Sequence, residues 1–128
     1  MYKRLCISLS MLIAVLAVTA QAPEMNFTVS VKEPSTHVYE VRFECNGVKK
    51  EWVDVKMPVW MPGYYQILNY ADNVSAFHVE VLGGDTLKWE KANYNTWRIY
   101  SNYADRLNIS YNVKAVRHFV ATNYLDEE

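Results

Sequence analysis

Cysteine, histidine, glycine and proline are all scarce in this chain. Its 128 residues include two cysteines, three histidines, four glycines and four prolines. So little glycine and proline excludes a flexible linker or a collagen-like array. Neither sign of charge dominates: 13 Lys and Arg stand against 14 Asp and Glu, a formal net charge of −1. That balance supplies no global field for binding nucleic acid or an anionic membrane. Hydrophobic residues reach 51% and charged ones only 21%, which excludes a disordered polymer and suits one domain. Aromatics, in contrast, are abundant at 14%, with ten Tyr, four Trp and four Phe. They suit a β-rich fold or a surface that holds ligands by stacking.

The longest uncharged run stands at the start. Lys3 and Arg4 precede the mostly apolar residues 5–18, and Val18-Thr19-Ala20 follows with small residues where signal peptidase reads. This is the three-part plan of a secretory signal peptide. The run is shorter than the ~20 residues that span a bilayer. Lys3-Arg4-Leu5 before Cys6 is not the small-residue pattern of a lipoprotein anchor, and Pro23 disfavours a cut after Ala22. Residues 1–20 are therefore expected to be removed, leaving 21–128 as an exported chain, periplasmic or secreted. Cys45 is then its only thiol, so no internal disulfide can form and stability must rest on the core.

Period-two alternation recurs along the rest. Phe27, Val29 and Val31 fall on one face, opposite Asn26, Thr28 and Ser30. The same pattern places His37, Tyr39, Val41, Phe43 and Cys45 together, then Val53, Val55 and Met57. Phe77, Val79 and Val81 follow, and finally Leu107, Ile109, Tyr111 and Val113. Each run has one apolar and one wet face, as an antiparallel sheet against a core requires. Turn chemistry separates them at Glu33-Pro34-Ser35, Asn46-Gly47 and Gly83-Gly84-Asp85. Nothing after residue 22 sustains helical spacing, and residues 65–73 allow one short helical turn. The pattern predicts an all-β fold, an antiparallel β-sandwich of about seven strands.

One segment departs from alternation. Pro58-Val59-Trp60-Met61-Pro62-Gly63-Tyr64-Tyr65 packs two prolines, a glycine and three large aromatics together. Neither a central strand nor a helix tolerates prolines so placed. A rigid loop is expected, with Trp60 and Tyr64 either capping the core or presented to a ligand or adjoining domain. Between these, the expectation is a split: Trp60 buried, and Tyr64 or Tyr65 at an interface.

Catalytic constellations are missing. His37, His78 and His118 lie about forty residues apart with no close ligand pair, so no metal site is expected. There is no G-x-S-x-G elbow, and Cys45 shares a strand face with Phe43, the setting of an inert buried thiol. Asp126-Glu127-Glu128 and the Asp85/Glu90 pair read as solvated charge. The sequons at Asn26 and Asn108 fall within expected strands, and that at Asn73 matters only in a eukaryotic secretory pathway.

The aromatic segment and its surroundings carry a resemblance. Met57-Pro58-Val59-Trp60-Met61-Pro62-Gly63-Tyr64-Tyr65, followed by Asn69-Tyr70-Ala71, is similar to the "P-x-W-x-P-G-[SY]-Y" signature of the glycyl aminopeptidase family of zinc metallopeptidases, in its N-terminal domain. Val74 to Phe77 resembles that family's "V-x-x-F" strand, and Lys91 with Asn95-Thr96-Trp97 its "K-x-x-x-N-T-W" strand. Tyr111-Asn112-Val113 and Asn123-Tyr124-Leu125-Asp126 resemble its "Y-x-V" strand and terminal "N-Y-L-D".

The resemblance implies an exported protein whose β-sandwich N-terminal domain precedes a thermolysin-like H-E-x-x-H domain and a PDZ domain. Neither later domain is in this sequence, and the sandwich is expected to be incomplete at its C-terminal edge. Zinc is implied for the full-length family only. For this chain the resemblance implies a non-catalytic module with no catalytic or metal-binding residues. Trp60, Pro62, Gly63, Tyr64 and Tyr65 would meet the catalytic domain or help wall its substrate cleft, touching peptide substrate indirectly. No nucleic acid is an expected partner, nor a membrane after leader removal. The competing expectation is a stand-alone secreted β-sandwich that binds glycan or peptide through Trp60, Tyr64, Tyr65 and Trp97.

Overall fold

The computed structural model of the chain describes residues 23–116 and 124–126. Among them the alternating runs become seven antiparallel strands in two sheets. Strands β1 (Glu24–Ser30), β2 (Val38–Asn46), β4 (Val74–Val81) and β7 (Arg106–Lys114) form one sheet, in the order β1-β2-β7-β4. Strands β3 (Val53–Lys56), β5 (Trp89–Asn93) and β6 (Thr96–Ile99) form the other, in the order β3-β6-β5. The only helical turns described are two short 3-10 segments, Pro34–Thr36 and Tyr70–Asn73. The all-β sandwich of seven strands is as expected.

Register explains the core. Phe27, Phe43, Ile109 and Val79 stand side by side across the four-stranded sheet, and Met25, Cys45, Leu107 and Val81 form the next row. Phe43, Val79, Leu107 and Ile109 are buried together with Ile99 from the second sheet. Each such side chain contributes about 1.5–3 kcal/mol when fully buried. In β4 an extra residue interrupts the ladder between Ser75 and His78, where Ala76 adopts φ 50°. This bulge shifts the alternation before it, so Val74, three residues ahead of Phe77, shares the inner face with Phe77 and Val79. There the Phe77 ring meets Trp89 edge-on at 4.9 Å and stacks with Trp97 at 5.2 Å, joining the two sheets.

Two local arrangements go beyond what the strand pattern specified. Asn46-Gly47 does turn, with Gly47 at φ 79°, but β2 and β3 are not a hairpin because they belong to different sheets. The turn begins a crossover held by Asp105, whose carbonyl accepts from the Gly47 and Val48 amides. The sheets are not closed, and the last described strand is not at an edge. β7 sits in the middle of its sheet, between β2 and β4, because it pairs with both. The edge strands are β1 and β4 in one sheet and β3 and β5 in the other, with residues 85–87 flanking β4. The expected leader and His118 lie outside the described residues.

The sheets are unequal, and this shapes one side of the molecule. Phe77 contacts place β4 against β5 and β6. β1 is the edge of its sheet farthest from β4, and β3 the edge of the other sheet farthest from β5. All of β1 is exposed, including the inward-facing Met25, Phe27 and Val29. The far end of the sandwich gathers the start of β4, the end of β7 and residues 124–126. There the Tyr39 hydroxyl donates to the Tyr124 carbonyl at 3.0 Å, and the Leu125 amide to the Ala115 carbonyl at 3.2 Å.

Candidate interaction site: the aromatic loop and the open groove

Residues 57–69 leave β3 and cross the end of the sandwich before the 3-10 turn that feeds β4. Their entry is clamped twice by Asn95: its carbonyl accepts from the Met57 amide at 2.9 Å, and its side-chain amide donates to the Met57 carbonyl at 2.9 Å. At the tip, the Tyr64 amide donates to the Met61 carbonyl at 3.2 Å around Pro62 and Gly63, with Gly63 at φ 84°. Proline followed by a positive-φ glycine is the chemistry of a type II turn. On the return, the Leu68 amide donates to the Val59 carbonyl at 2.9 Å. Two prolines and these bonds leave the backbone little freedom to lose on binding.

The side chains on this frame divide cleanly. Val59, Tyr64 and Leu68 are half-buried. Trp60 is 55% exposed and Tyr65 98% exposed, with Met61 and Ile67 also in the open. The expectation that Trp60 is buried is therefore wrong. The turn at Pro62-Gly63 swings the tip away from the core, and no strand among the described residues covers it. Tyr64 is half-buried, and its hydroxyl donates to the Gln66 side chain at 3.3 Å. From Met57 through Ala71 the sequence carries no charged side chain. An exposed, uncharged, aromatic surface on a stiff loop suits a partner's apolar face. Trp97 is not part of it. It is 4% exposed, stacked on Phe77 and covered by Lys91, whose ammonium lies 4.1 Å from the ring centre. The set of aromatics expected for a stand-alone ligand site is broken by that burial.

A second feature escaped the sequence. Between β1 and β3 lies a groove of about 840 Å³, with Phe43, Leu107, Ile109 and Phe77 among its lining residues. Cys45 also lines it, and burial pushes that thiol's pKa up, away from nucleophilic use. Tyr111 in the same wall is likewise pushed up by burial. The outer face of the second sheet carries ordered charge. Arg98 holds Asp54 through two bonds of 2.9 and 3.0 Å, and its guanidinium lies 4.1 Å from the Trp52 ring centre. The Arg98 hydrogen bond holds the Asp54 carboxyl below the usual carboxylate range. Forty-four positions separate the pair, so no local signal could reveal it.

Nothing among the described residues assembles a catalytic or metal centre. No three His, Cys, Asp or Glu side chains converge on a point. His37 sits at a turn with its Nδ1 facing the Leu125 carbonyl. His78 stands on the exposed side of β4 near Glu80. Asn108 is buried and donates to Glu80 at 2.7 Å, so its sequon is inaccessible in the folded chain.

Residues 26–128 match the family described as the Peptidase M61 N-terminal domain. Among solved structures, the fold resembles the crystal structure of an aminopeptidase N family protein from Idiomarina loihiensis, with a TM-score of 0.74 and 21% identity. That alignment takes in 80% of this chain but only 17% of the other. No curated protein matches the chain.

Proposed function

Because the chain belongs to the Peptidase M61 N-terminal domain family, we propose that it is the non-catalytic N-terminal module of an exported, glycyl-aminopeptidase-like zinc metallopeptidase. Its work is to dock on the catalytic domain and help wall the substrate cleft. The observation that carries this reading is the stiff, uncharged loop with Trp60, Met61, Tyr65 and Ile67 outermost. Residues 124–126 pack against Tyr39 and the residues just after β7, at the end of the sandwich where β4 begins. Ligand sites commonly form where domains meet, which gives a docking module a place in substrate recognition. The short share of the solved aminopeptidase family protein taken up by this fold supports a module within a larger chain.

Zinc belongs, in this reading, to the catalytic domain. The described residues offer no cluster that fits a metal ion, so no chemical step is assigned to them. The reading is tested at the gene. DNA downstream of codon 128 is expected to encode H-E-x-x-H, in frame or after one frameshift. In that longer chain, Trp60→Ala and Tyr65→Ala are expected to lower peptidase activity without lowering the melting temperature. Unrelated downstream sequence, or activity indifferent to both changes, refutes the reading.

A further inference from the structure

The aromatic loop leaves β3 at Met57, and a residue far along the chain holds Met57 on both sides. In the register of β3 with β6, Lys56 stands opposite Thr96, so the next pair along the ladder is Met57 with Asn95. Asn95 is no longer in a strand; it belongs to the turn that joins β5 to β6. Its carbonyl still accepts from the Met57 amide at 2.9 Å. The return bond comes from its side chain, whose Nδ2 donates to the Met57 carbonyl at 2.9 Å. One asparagine thus satisfies both backbone groups of Met57 from 38 positions away.

The residue after Met57 explains why the clamp sits there. Pro58 has no amide hydrogen, so it cannot donate to continue the ladder. The backbone bonds that follow, Tyr64 to Met61 and Leu68 to Val59, join the loop to itself. The asparagine amide is also held the right way round. Thr96, only 5% exposed, donates its hydroxyl to Asn95 Oδ1 at 3.2 Å, which leaves Nδ2 as the end that faces Met57. Leucine and ionised aspartate share the shape of asparagine but lack the donor.

We infer that Asn95 is the positioning residue of the aromatic loop: oriented by Thr96, it fixes Met57 and so sets where Trp60, Met61 and Tyr65 stand relative to the sandwich. The inference rests on the proposal that this loop docks on a catalytic domain, and it names what holds the loop ready. Asn95 acts through the loop, by reducing the ordering that docking would otherwise have to supply.

Amide hydrogen exchange of the whole chain, resolved by residue, separates local opening of the loop from global unfolding. Asn95→Ala is expected to speed exchange at Tyr64 and Leu68 by roughly two- to tenfold, the worth of one hydrogen bond. Asn95→Asp keeps the shape but sets a carboxylate oxygen against the Met57 carbonyl, so about tenfold or more is expected. Thr96→Val, which frees the amide to turn, is expected to give a smaller rise at the same two amides. Ile109, in the middle of the other sheet, is expected to keep its rate throughout. Asp54→Asn, which loosens a different tie between β3 and β6, is expected to leave the loop unchanged. An aspartate variant that exchanges like the unmodified chain overturns the inference, because a space-filling role predicts that result. Equal acceleration at Ile109 and in the loop overturns it too, by making Asn95 a general support of the fold. If the Asn95 variants do not fold, unchanged loop exchange in Thr96→Val overturns it alone. In the longer chain, Asn95→Asp is expected to lower peptidase activity, and joined with Tyr65→Ala to lose less than the product of the two single losses. Activity lost in Tyr65→Ala but kept in Asn95→Asp refutes the clamp, whereas activity indifferent to Trp60→Ala and Tyr65→Ala refutes docking and leaves exchange to decide the clamp.

Discussion

Replacing Phe77 with alanine tests how the two sheets are joined. Phe77 faces inward with Val79, and its ring lies 4.9 Å from Trp89, 5.2 Å from Trp97 and 6.3 Å from Tyr111. A buried Phe→Ala change costs about 3–5 kcal/mol, and aromatic pairs add about 0.5–1.5 kcal/mol each beyond area. Phe77 also lines the open groove, so the vacated space drains to solvent and leaves no sealed cavity. The lower end, about 3 kcal/mol, is therefore expected. For a domain of this size each kcal/mol moves the melting temperature by about 4–8 °C, so the midpoint should fall by about 12–24 °C. Phe77→Leu keeps most of the volume but loses the ring contacts, and is expected to cost about 1–1.5 kcal/mol. Far-ultraviolet circular dichroism gives both midpoints, and tryptophan fluorescence reports the loss at Trp89 and Trp97. A fall under about 4 °C for the alanine variant, which is less than 1 kcal/mol, refutes Phe77 as the link. Equal falls for leucine and alanine would show instead that the rings add nothing beyond volume.

Three smaller perturbations probe the loop and the outer sheet. Gly63→Ala meets no atom within 4 Å, but φ 84° is unfavourable for any L side chain, so a loss of about 1–2 kcal/mol is expected by chemical denaturation. Gly63→Asn should lose less. Tyr65→Ala, at a residue 98% exposed, should change stability by no more than about 0.5 kcal/mol, and a larger loss would place the ring in a contact that the fold does not show. Asp54 has its folded pKa lowered beneath its ordinary 3.8, chiefly by the Arg98 hydrogen bond. Its ion pair is thus fully present above that pH and lost as pH falls through the lower, folded value. The melting difference between the unmodified chain and Asp54→Asn should therefore shrink as pH drops below about 3.8 and should narrow in high salt at neutral pH.

Alternation alone determined most of the strands. In β2, β4 and β7, Phe43, Val79, Leu107 and Ile109 recur every second residue, and each is buried as that period requires. Pro62-Gly63 likewise specified its own turn, because fixed φ at one residue and positive φ at the next are local properties of the chain. Alternation did not mark β5 and β6, whose short pairing turns on a bulge between Lys91 and Asn93.

What only the tertiary structure decided is which apolar faces are covered. Phe27 and Phe43 alternate in the same way and pair directly, yet one is 61% exposed and the other is buried. Trp60 and Trp97 show the same division, with the loop tryptophan in the open and the strand tryptophan enclosed. A period of two reports that one side of a strand is apolar; it carries no information about whether another layer lies over it. Coverage depends on where β2 crosses to the other sheet, on β7 entering between β2 and β4, and on the count of strands in each layer. The Arg98–Asp54 pair depends on β3 and β6 becoming neighbours. These are relations between segments tens of residues apart, and burial is a sum over all of them.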